Sequence, residues 1–383
     1  MGKKIDMRIG VNTLSILPGE NGGGETYLVN LLREISNLDK NSTYCLFVNK
    51  ENQKLFPEAK NFTRILCPVS KGNVALRVLW EQFILPFYLI SNKIDVLFSP
   101  ANMAPVLWCP CKSVLTIHDL IWTRYGENLP RKQFYALKYL TNRSAVKATK
   151  IMADSGYTKT DLLARVKTDN NKITVVHLGV GDLIGIRSDY SNDQLLAKIG
   201  GGFLLSVGRT HPHKNFLNLI EAFKVLKGNN KNFNRKLVIA GLPGMQHEQI
   251  NNKICDDNLG GDIFLLGNVS NDDLALLYRK AELFIFPSLC EGFGLPILEA
   301  MSFGLPVACS NAACLPEIGG EAALYFDPLK VADLADKIYD ILSSENFKRE
   351  LISKGYQHIK GFSWKKTAER AVKVFIEAAG IGN

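Results

Sequence analysis

Short apolar runs alternate along this chain with longer stretches of helical period. In the first half the runs at 7–11, 44–48, 96–98, 113–117, 150–153 and 173–176 read as strands. Helical patterns fall between them at 25–36, 73–90, 134–148 and 159–167. From 179 to 202 the chain turns to Gly, Asp, Ser and Asn and ends in Gly200-Gly201-Gly202, the composition of a hinge, part of which can fold as a short helix. The alternation then restarts, with strands predicted at 203–207, 236–240, 263–266, 283–286 and 307–310. Helices are predicted at 215–226, 272–280, 295–302 and beyond 331. Strand-helix alternation is the signature of βαβ units and parallel sheets. The pattern therefore predicts an α/β protein of two Rossmann-like, doubly wound domains, with ligands at the carboxyl ends of the strands and a cleft between the halves.

Composition narrows this without redirecting it. A chain of 383 residues suits two domains of about 180 residues. With 46% hydrophobic and 22% charged residues, it reads as an ordinary globular protein. The net charge of +9 favours a polyanionic partner: nucleic acid, an anionic membrane surface or a phosphate-bearing substrate. The eight cysteines form no C-x-x-C pair, and Cys109-Pro-Cys111 is too isolated for a zinc site, so reduced thiols in a cytosolic protein are expected. The N-terminal residues lack an apolar signal core. The most apolar stretch, 74–90, carries Arg77, Glu81 and Pro86 and does not read as a spanning helix. A soluble or peripheral protein is expected.

Candidate chemistry collects at strand-to-loop junctions. After the strand ending at Val207, Gly208 permits a turn, and Arg209 and Lys214 follow before a helix. Fixed cations there suit a pyrophosphate leaving group, which gains negative charge as a sugar bond breaks. After the strand ending at Phe286 comes Cys290-Glu291-Gly292-Phe293-Gly294-Leu295-Pro296, with Glu299 in the helix beyond. The glycines let backbone N–H groups face phosphate oxygens at a helix N-terminus, and the two carboxylates suit sugar hydroxyls on either side. His118-Asp119 ends a third strand, where the imidazole can reach a sugar hydroxyl. Gly22, Gly23 and Gly24, after Asn21, match neither a P-loop nor a dinucleotide fingerprint.

Together these elements resemble family 4 retaining glycosyltransferases of the GT-B fold, over most of the chain and most densely between Ser206 and Ser310. The G-R-x4-K-N and E-G-F-G-L-P-x-L-E-A-M elements carry the likeness, with Trp80-Glu81-Gln82, His118-Asp119 and Leu178-Gly179-Val180 in the first half. The resemblance implies an N-terminal acceptor-side domain over 1–185, a linker over 186–202, a nucleotide-sugar domain over 203–364, and a C-terminal helix over 365–383 that can pack back on the first domain. It implies that Arg209 and Lys214 hold the donor diphosphate, with the backbone of Gly22, Gly23 and Gly24 closing over it. Glu299 would bind the ribose. Glu291 and the amides of Gly292, Phe293, Gly294 and Leu295 would hold the transferred sugar, and His118 would reach that sugar from the first domain. It further implies retention by a front-face mechanism with no protein nucleophile. No D-x-D triplet occurs in the chain, so the two cations would replace a metal, and no metal or other cofactor is expected. The family's Asp after Leu-Gly-Val is Gly181 here, with Asp182 one position on.

The expected activity is transfer of a hexose, mannose favoured, from a nucleotide diphosphate-sugar to a saccharide or lipid-linked acceptor in cell-surface polysaccharide or lipopolysaccharide synthesis. GDP-mannose is preferred and a UDP-sugar is the near alternative. A sugar-nucleotide epimerase of the same fold would share the diphosphate site but make no glycoside. Nucleic-acid binding would require interleaved aromatic and basic residues, and the motifs point instead to a small phosphate ligand. A dehydrogenase lacks its glycine fingerprint. Finally, residues 131–150 carry six Lys or Arg and no acid, with Phe134, Leu137, Leu140 and Ala145 near helical spacing. That pattern predicts a basic amphipathic helix touching an anionic leaflet, so the expected location is cytoplasmic and peripheral at the inner face of the cell membrane.

Overall fold

Two all-parallel sheets are built from the apolar runs of the two halves. The computed structural model describes residues 7–19, 22–70, 73–128, 130–180, 190–230 and 233–381. Asn21, Gly181, Asp182 and the first residues of the expected linker lie outside them.

The first unit spans Met1–Gly179 together with Ser363–Asn383. Its strands are β1 (Arg8–Asn12), β2 (Thr43–Val48), β3 (Phe62–Leu66), β4 (Val96–Ser99), β5 (Lys112–Ile117), β6 (Lys150–Ala153) and β7 (Ile173–Val175). They form one seven-stranded sheet in the order β3-β2-β1-β4-β5-β6-β7. Its helices are α1 (Gly23–Leu38), α2 (Val74–Phe83), α3 (Leu85–Ser91), α4 (Trp122–Tyr125), α5 (Arg131–Lys147) and α6 (Gly156–Arg165). The chain's last helix, α15 (Trp364–Ala379), also belongs to this unit. It packs along α1, sets Phe375 against Phe98 of β4 with ring centroids 5.0 Å apart, and receives the His177 carbonyl on the Thr367 hydroxyl at 2.8 Å. Gly179 is where α15 begins its approach. A Cβ there would lie 2.2 Å from the Trp364 nitrogen, so Leu178-Gly179-Val180 has a packing reason for its glycine.

The second unit spans Val180–Phe362. Helix α7 (Asp193–Ile199) occupies part of the stretch expected as a linker. Strands β8 (Phe203–Val207), β9 (Lys236–Ala240), β10 (Ile263–Gly267), β11 (Leu283–Phe286), β12 (Val307–Ser310) and β13 (Ala323–Phe326) pair as β10-β9-β8-β11-β12-β13. Around them lie α8 (Phe216–Asn229), α9 (His247–Asp256), α10 (Asn271–Lys280), α11 (Leu295–Ser302), α12 (Leu315–Gly319), α13 (Val331–Ser343) and α14 (Glu345–His358). Leu204, Leu237, Ile239, Leu283 and Ile285 on the strands meet Phe216, Ile220 and Phe223 of α8 in a fully shielded core. Central strands buried on both faces read as continuous apolar runs, which is why they were predictable.

Four elements departed from the expected pattern. β3 is an edge strand of mixed exposed and half-buried residues with no continuous run, and β13, also at an edge, is the apolar run Ala323-Leu324-Tyr325-Phe326, which the expected pattern omitted. α9 buries only Ile250 and Ile254, one turn apart, among polar residues. The helix expected over 73–90 breaks at Ile84 into α2 and α3, bent by 43°. Pro86 sits in the first turn of α3, where its missing N–H costs no hydrogen bond; inside a continuous helix it would.

Candidate functional site

Each sheet changes winding direction once, between β8 and β11 in the second unit and between β1 and β4 in the first. Open α/β sheets bind ligands beyond the strand ends at such a switch point.

In the second unit the two loops that carry the G-R-x4-K-N and E-G-F-G-L-P elements leave β8 and β11, neighbours in the sheet. Ser206 ties the strands together, donating its hydroxyl to the Ile285 carbonyl at 2.6 Å, and the Leu289 N–H reaches the His213 carbonyl at 2.7 Å. Asn215, in the left-handed conformation at φ 58°, donates to the Pro287 and Pro328 carbonyls and fixes the start of α8. The outcome is a contact between the two elements: Lys214 Nζ lies 2.6 Å from Glu291 Oε1, both side chains mostly shielded, and 5.0 Å from the centre of the Phe286 ring. Arg209 stands exposed on the same loop. His211 and His213 register this charge. Burial, then Arg209 and Lys214, hold the His211 imidazole below its ordinary range. Burial and Lys214 outweigh Glu291 to push His213 down to about 4, so both imidazoles are neutral at pH 7.

Gly294 has φ +101°, a left-handed conformation in which a Cβ would also crowd Leu315, and it opens α11, whose second residue, Pro296, has no N–H and whose Ile297 N–H bonds the Gly294 carbonyl at 3.0 Å. The Cys314 thiol donates to the Glu291 and Phe293 carbonyls and holds the preceding loop. Glu299, on α11, accepts the Tyr278 hydroxyl on Oε2 at 3.0 Å. Burial pushes its carboxyl up to about 7 against that hydrogen bond. A carboxylate so poised has one oxygen fixed by the protein and another available for a hydroxyl.

The first unit holds a different arrangement. His118 follows β5; its Nδ1 lies 2.7 Å from Asp154 Oδ2 and its Nε2 lies 2.8 Å from the Pro100 carbonyl. Both partners are acceptors, so both ring nitrogens donate and the ring is the imidazolium. Burial opposes that charge, but Asp154 and the Pro100 carbonyl outweigh it and raise the pKa to about 9. Tyr27 of α1 meets the ring edge-on at 4.9 Å. To bond a sugar hydroxyl, His118 would have to exchange one of these partners. Gly22 caps α1 and Gly23 and Gly24 form its first turn; beside Gly22 there is open space.

Arg209, Lys214, Glu291, the Gly292–Leu295 backbone and Glu299 thus belong to one unit, and His118 and Gly22–Gly24 to the other. Sequence reasoning missed Asp154, Tyr278 and His213. Asp154 directly follows β6, a strand end of the kind already searched, whereas nothing in the spacing ties Tyr278 to Glu299.

Residues 21–182 match the family described as Glycosyltransferase Family 4, and residues 191–358 match Glycosyl transferases group 1. The chain is 28% identical over 267 residues to O-antigen chain mannosyltransferase B of Escherichia coli, 69% of this chain and 70% of that one. It is 29% identical over 276 residues to the serotype-specific mannosyltransferase WbdA of Escherichia coli, covering 70% of this chain but only 33% of that longer protein. In structure it resembles sucrose-phosphate synthase from Thermosynechococcus elongatus, with a TM-score of 0.77 at 17% identity, over 98% of this chain and all of the other. The chain belongs to the group 1, family 4 glycosyltransferases and has their two-domain GT-B fold.

Proposed function

We propose that this glycosyltransferase moves mannose from GDP-mannose to a saccharide or lipid-linked acceptor in O-antigen or related cell-surface polysaccharide synthesis, with retention and without a metal. The observation that carries the site assignment is the 2.6 Å contact between Lys214 and Glu291. It joins the cation suited to a diphosphate with the carboxylate suited to a sugar, and those two groups are covalent neighbours in any nucleotide-sugar. Mannose is favoured by the likeness to O-antigen chain mannosyltransferase B and to WbdA of Escherichia coli.

In this reading Arg209 and Lys214 stabilise the charge that gathers on the β-phosphate as its bond to the anomeric carbon breaks. The α11 N-terminus supports the same oxygens. Glu291 accepts from sugar hydroxyls and Glu299 from the ribose. The acceptor oxygen bonds the anomeric carbon on the face the phosphate leaves, and the acceptor proton passes to the departing phosphate. No side chain is assigned as nucleophile. The enzyme works peripherally at the cytoplasmic face of the membrane; among the described residues no single helix is long and apolar enough to cross one.

The test is a donor screen followed by product analysis. GDP-mannose and GDP should raise the melting temperature more than UDP-sugars and UDP, since a ligand stabilises by RT ln(1 + [L]/Kd). NMR of the glycoside formed should show the α-anomer. Preferential stabilisation by UDP would move the donor assignment to a UDP-sugar. A free epimerised sugar nucleotide, with no glycoside, would overturn the transfer itself.

A further inference from the structure

Helices α2 and α3 bury one side and leave another bare. Leu85 and Leu89 lie in the core of the first unit. Leu79, Phe83, Phe87 and Ile90 recur at helical spacing across the 43° bend and stand 52–60% exposed. Phe87 meets Trp108 edge-on at 5.7 Å, and Leu107 and Trp108 are themselves about half exposed. The loop carrying those two residues is pinned on both sides. Gln82 of α2 accepts the Val106 N–H at 2.6 Å, Ser144 of α5 accepts the Ala104 N–H at 2.9 Å, and Lys147 of α5 donates to the Val106 carbonyl. The apolar ridge therefore continues into the neighbourhood of α5, which exposes Lys138 and Arg143 together with Tyr135 and Tyr139. Acids near the ridge are few: between residues 74 and 112 they are Glu81, buried beside Arg77, and Asp95, which is exposed and accepts the Arg8 N–H. Residues 131–150 have none.

We infer that this ridge, flanked by the basic side of α5, is a docking surface for an anionic lipid bilayer, lying in its interface without spanning it. The inference rests on the peripheral-membrane part of the function proposed above and names the surface that makes the contact. Contiguous exposed apolar side chains of this kind mark a partner or a membrane. Three observations favour the membrane. The ridge side chains from Leu79 to Ile90 carry no hydrogen-bonding atoms with which to choose a protein partner. At 10 and 7 residues, α2 and α3 reach only about 15 and 10 Å, too short for a core of about 30 Å but suited to lying along an interface. Trp108, Tyr135 and Tyr139, with apolar bodies and polar tips, sit beside exposed cations, the combination found at headgroup depth.

Co-sedimentation tests it with phosphatidylcholine vesicles, with and without a third of phosphatidylglycerol. The protein should bind the anionic vesicles and barely the neutral ones. Trp108 emission should shift to the blue on binding, a change absent in Trp108→Phe. Phe83→Ser with Phe87→Ser should weaken vesicle binding about tenfold, because apolar area no longer leaves water. Lys138→Gln with Arg143→Gln should weaken it at low salt and little at high salt. Thermal stabilisation by GDP and UDP should match wild type in every variant; its loss would indict the variant's fold. If the protein stabilises with no nucleotide yet binds vesicles, the donor reading fails and this one stands. Binding that survives the Phe pair but falls with the α5 pair would keep the membrane and overturn the ridge. No binding to either vesicle overturns both. A concentration-dependent dimer abolished by the Phe pair, without vesicle binding, would assign the face to a second copy of the chain.

Discussion

The two units place charged groups beyond strand ends at different points of similar sheets, after β8 and β11 in the second and after β5 and β6 in the first, and treat them oppositely. In the second unit, Lys214 and Glu291 satisfy one another, a partnership that a phosphate and a hydroxyl can each replace, and Arg209 is exposed. In the first, the His118 cation is held from both ring nitrogens by groups of its own unit, one of them the buried Asp154. A strand end thus makes a side chain a candidate ligand. What differs is the partner each cation would have to give up before it could bond a substrate, Glu291 for Lys214 and Asp154 or the Pro100 carbonyl for His118.

The largest expected effect breaks the second unit's half of this contrast. Arg209→Ala and Lys214→Ala should each lower kcat/KM by roughly 10²–10³-fold, about 2.7–4 kcal/mol of transition-state stabilisation. The two should differ in stability. Arg209 is exposed and its loss should leave the melting temperature alone, whereas Lys214→Ala strands the shielded Glu291 carboxylate at a cost of about 1–3 kcal/mol. Near-normal turnover in both variants would remove them from the site.

The first unit's half is tested by pH. With its pKa raised to about 9 from an ordinary 6.5, His118 binds its proton more tightly folded than unfolded. Its stabilisation is therefore fully present below about pH 6.5 and is lost as pH rises through 9, by at most about 3 kcal/mol. Asp154→Asn should flatten that part of the pH–stability curve measured by urea unfolding. An unchanged slope would mean that His118 is not the cation described here.

The carboxylates come next. Glu291→Gln should slow transfer about tenfold or more while leaving GDP binding unchanged or tighter, because it frees Lys214 for the phosphates. Glu299→Gln should instead weaken GDP. Since the Glu299 carboxyl is raised to about 7, wild-type affinity for GDP should climb between pH 6 and 8 as it ionises, and the Gln variant should show no such climb. Calorimetry with equal weakening in both variants contradicts this division of labour.

Much of this was legible before the structure. The buried strands announce themselves as apolar runs, and the donor loops as glycine, cation and carboxylate following those runs. Legibility fails where a residue's meaning comes from a distant partner. Lys214 and Glu291 were each singled out, but their pairing across 77 residues was not. Glu299 was singled out for hydroxyls, but nothing in the spacing set Tyr278 beside it. His118 was read as reaching a sugar hydroxyl; Asp154 stands at a strand end the sequence also shows, but nothing in the spacing set it and the Pro100 carbonyl on the two ring nitrogens. The stretch over 73–90 was expected as one helix, since periodicity shows which residues share a face but not that Pro86 would bend it.

The smallest expected effect is none at all, and it concerns metal. A diphosphate leaving group carries negative charge that a divalent cation or fixed side-chain cations must meet. Here the loop after β8 supplies Arg209 and Lys214, whose charges make the local potential positive, beside two imidazoles that burial above all holds neutral. A second cation of charge two would add repulsion to that potential, and its own ligands would have to come from Glu291 or Glu299, the carboxylates assigned to hydroxyls. Among the described residues no group of three or more His, Cys, Asp or Glu is arranged to hold one. Transfer from GDP-mannose should therefore proceed at the same rate in excess EDTA as in added Mg²⁺ or Mn²⁺. Rates that collapse in EDTA and recover with either metal would mean that the two cations assist a metal instead of replacing it. In that case the loss on Lys214→Ala should shrink as metal is raised.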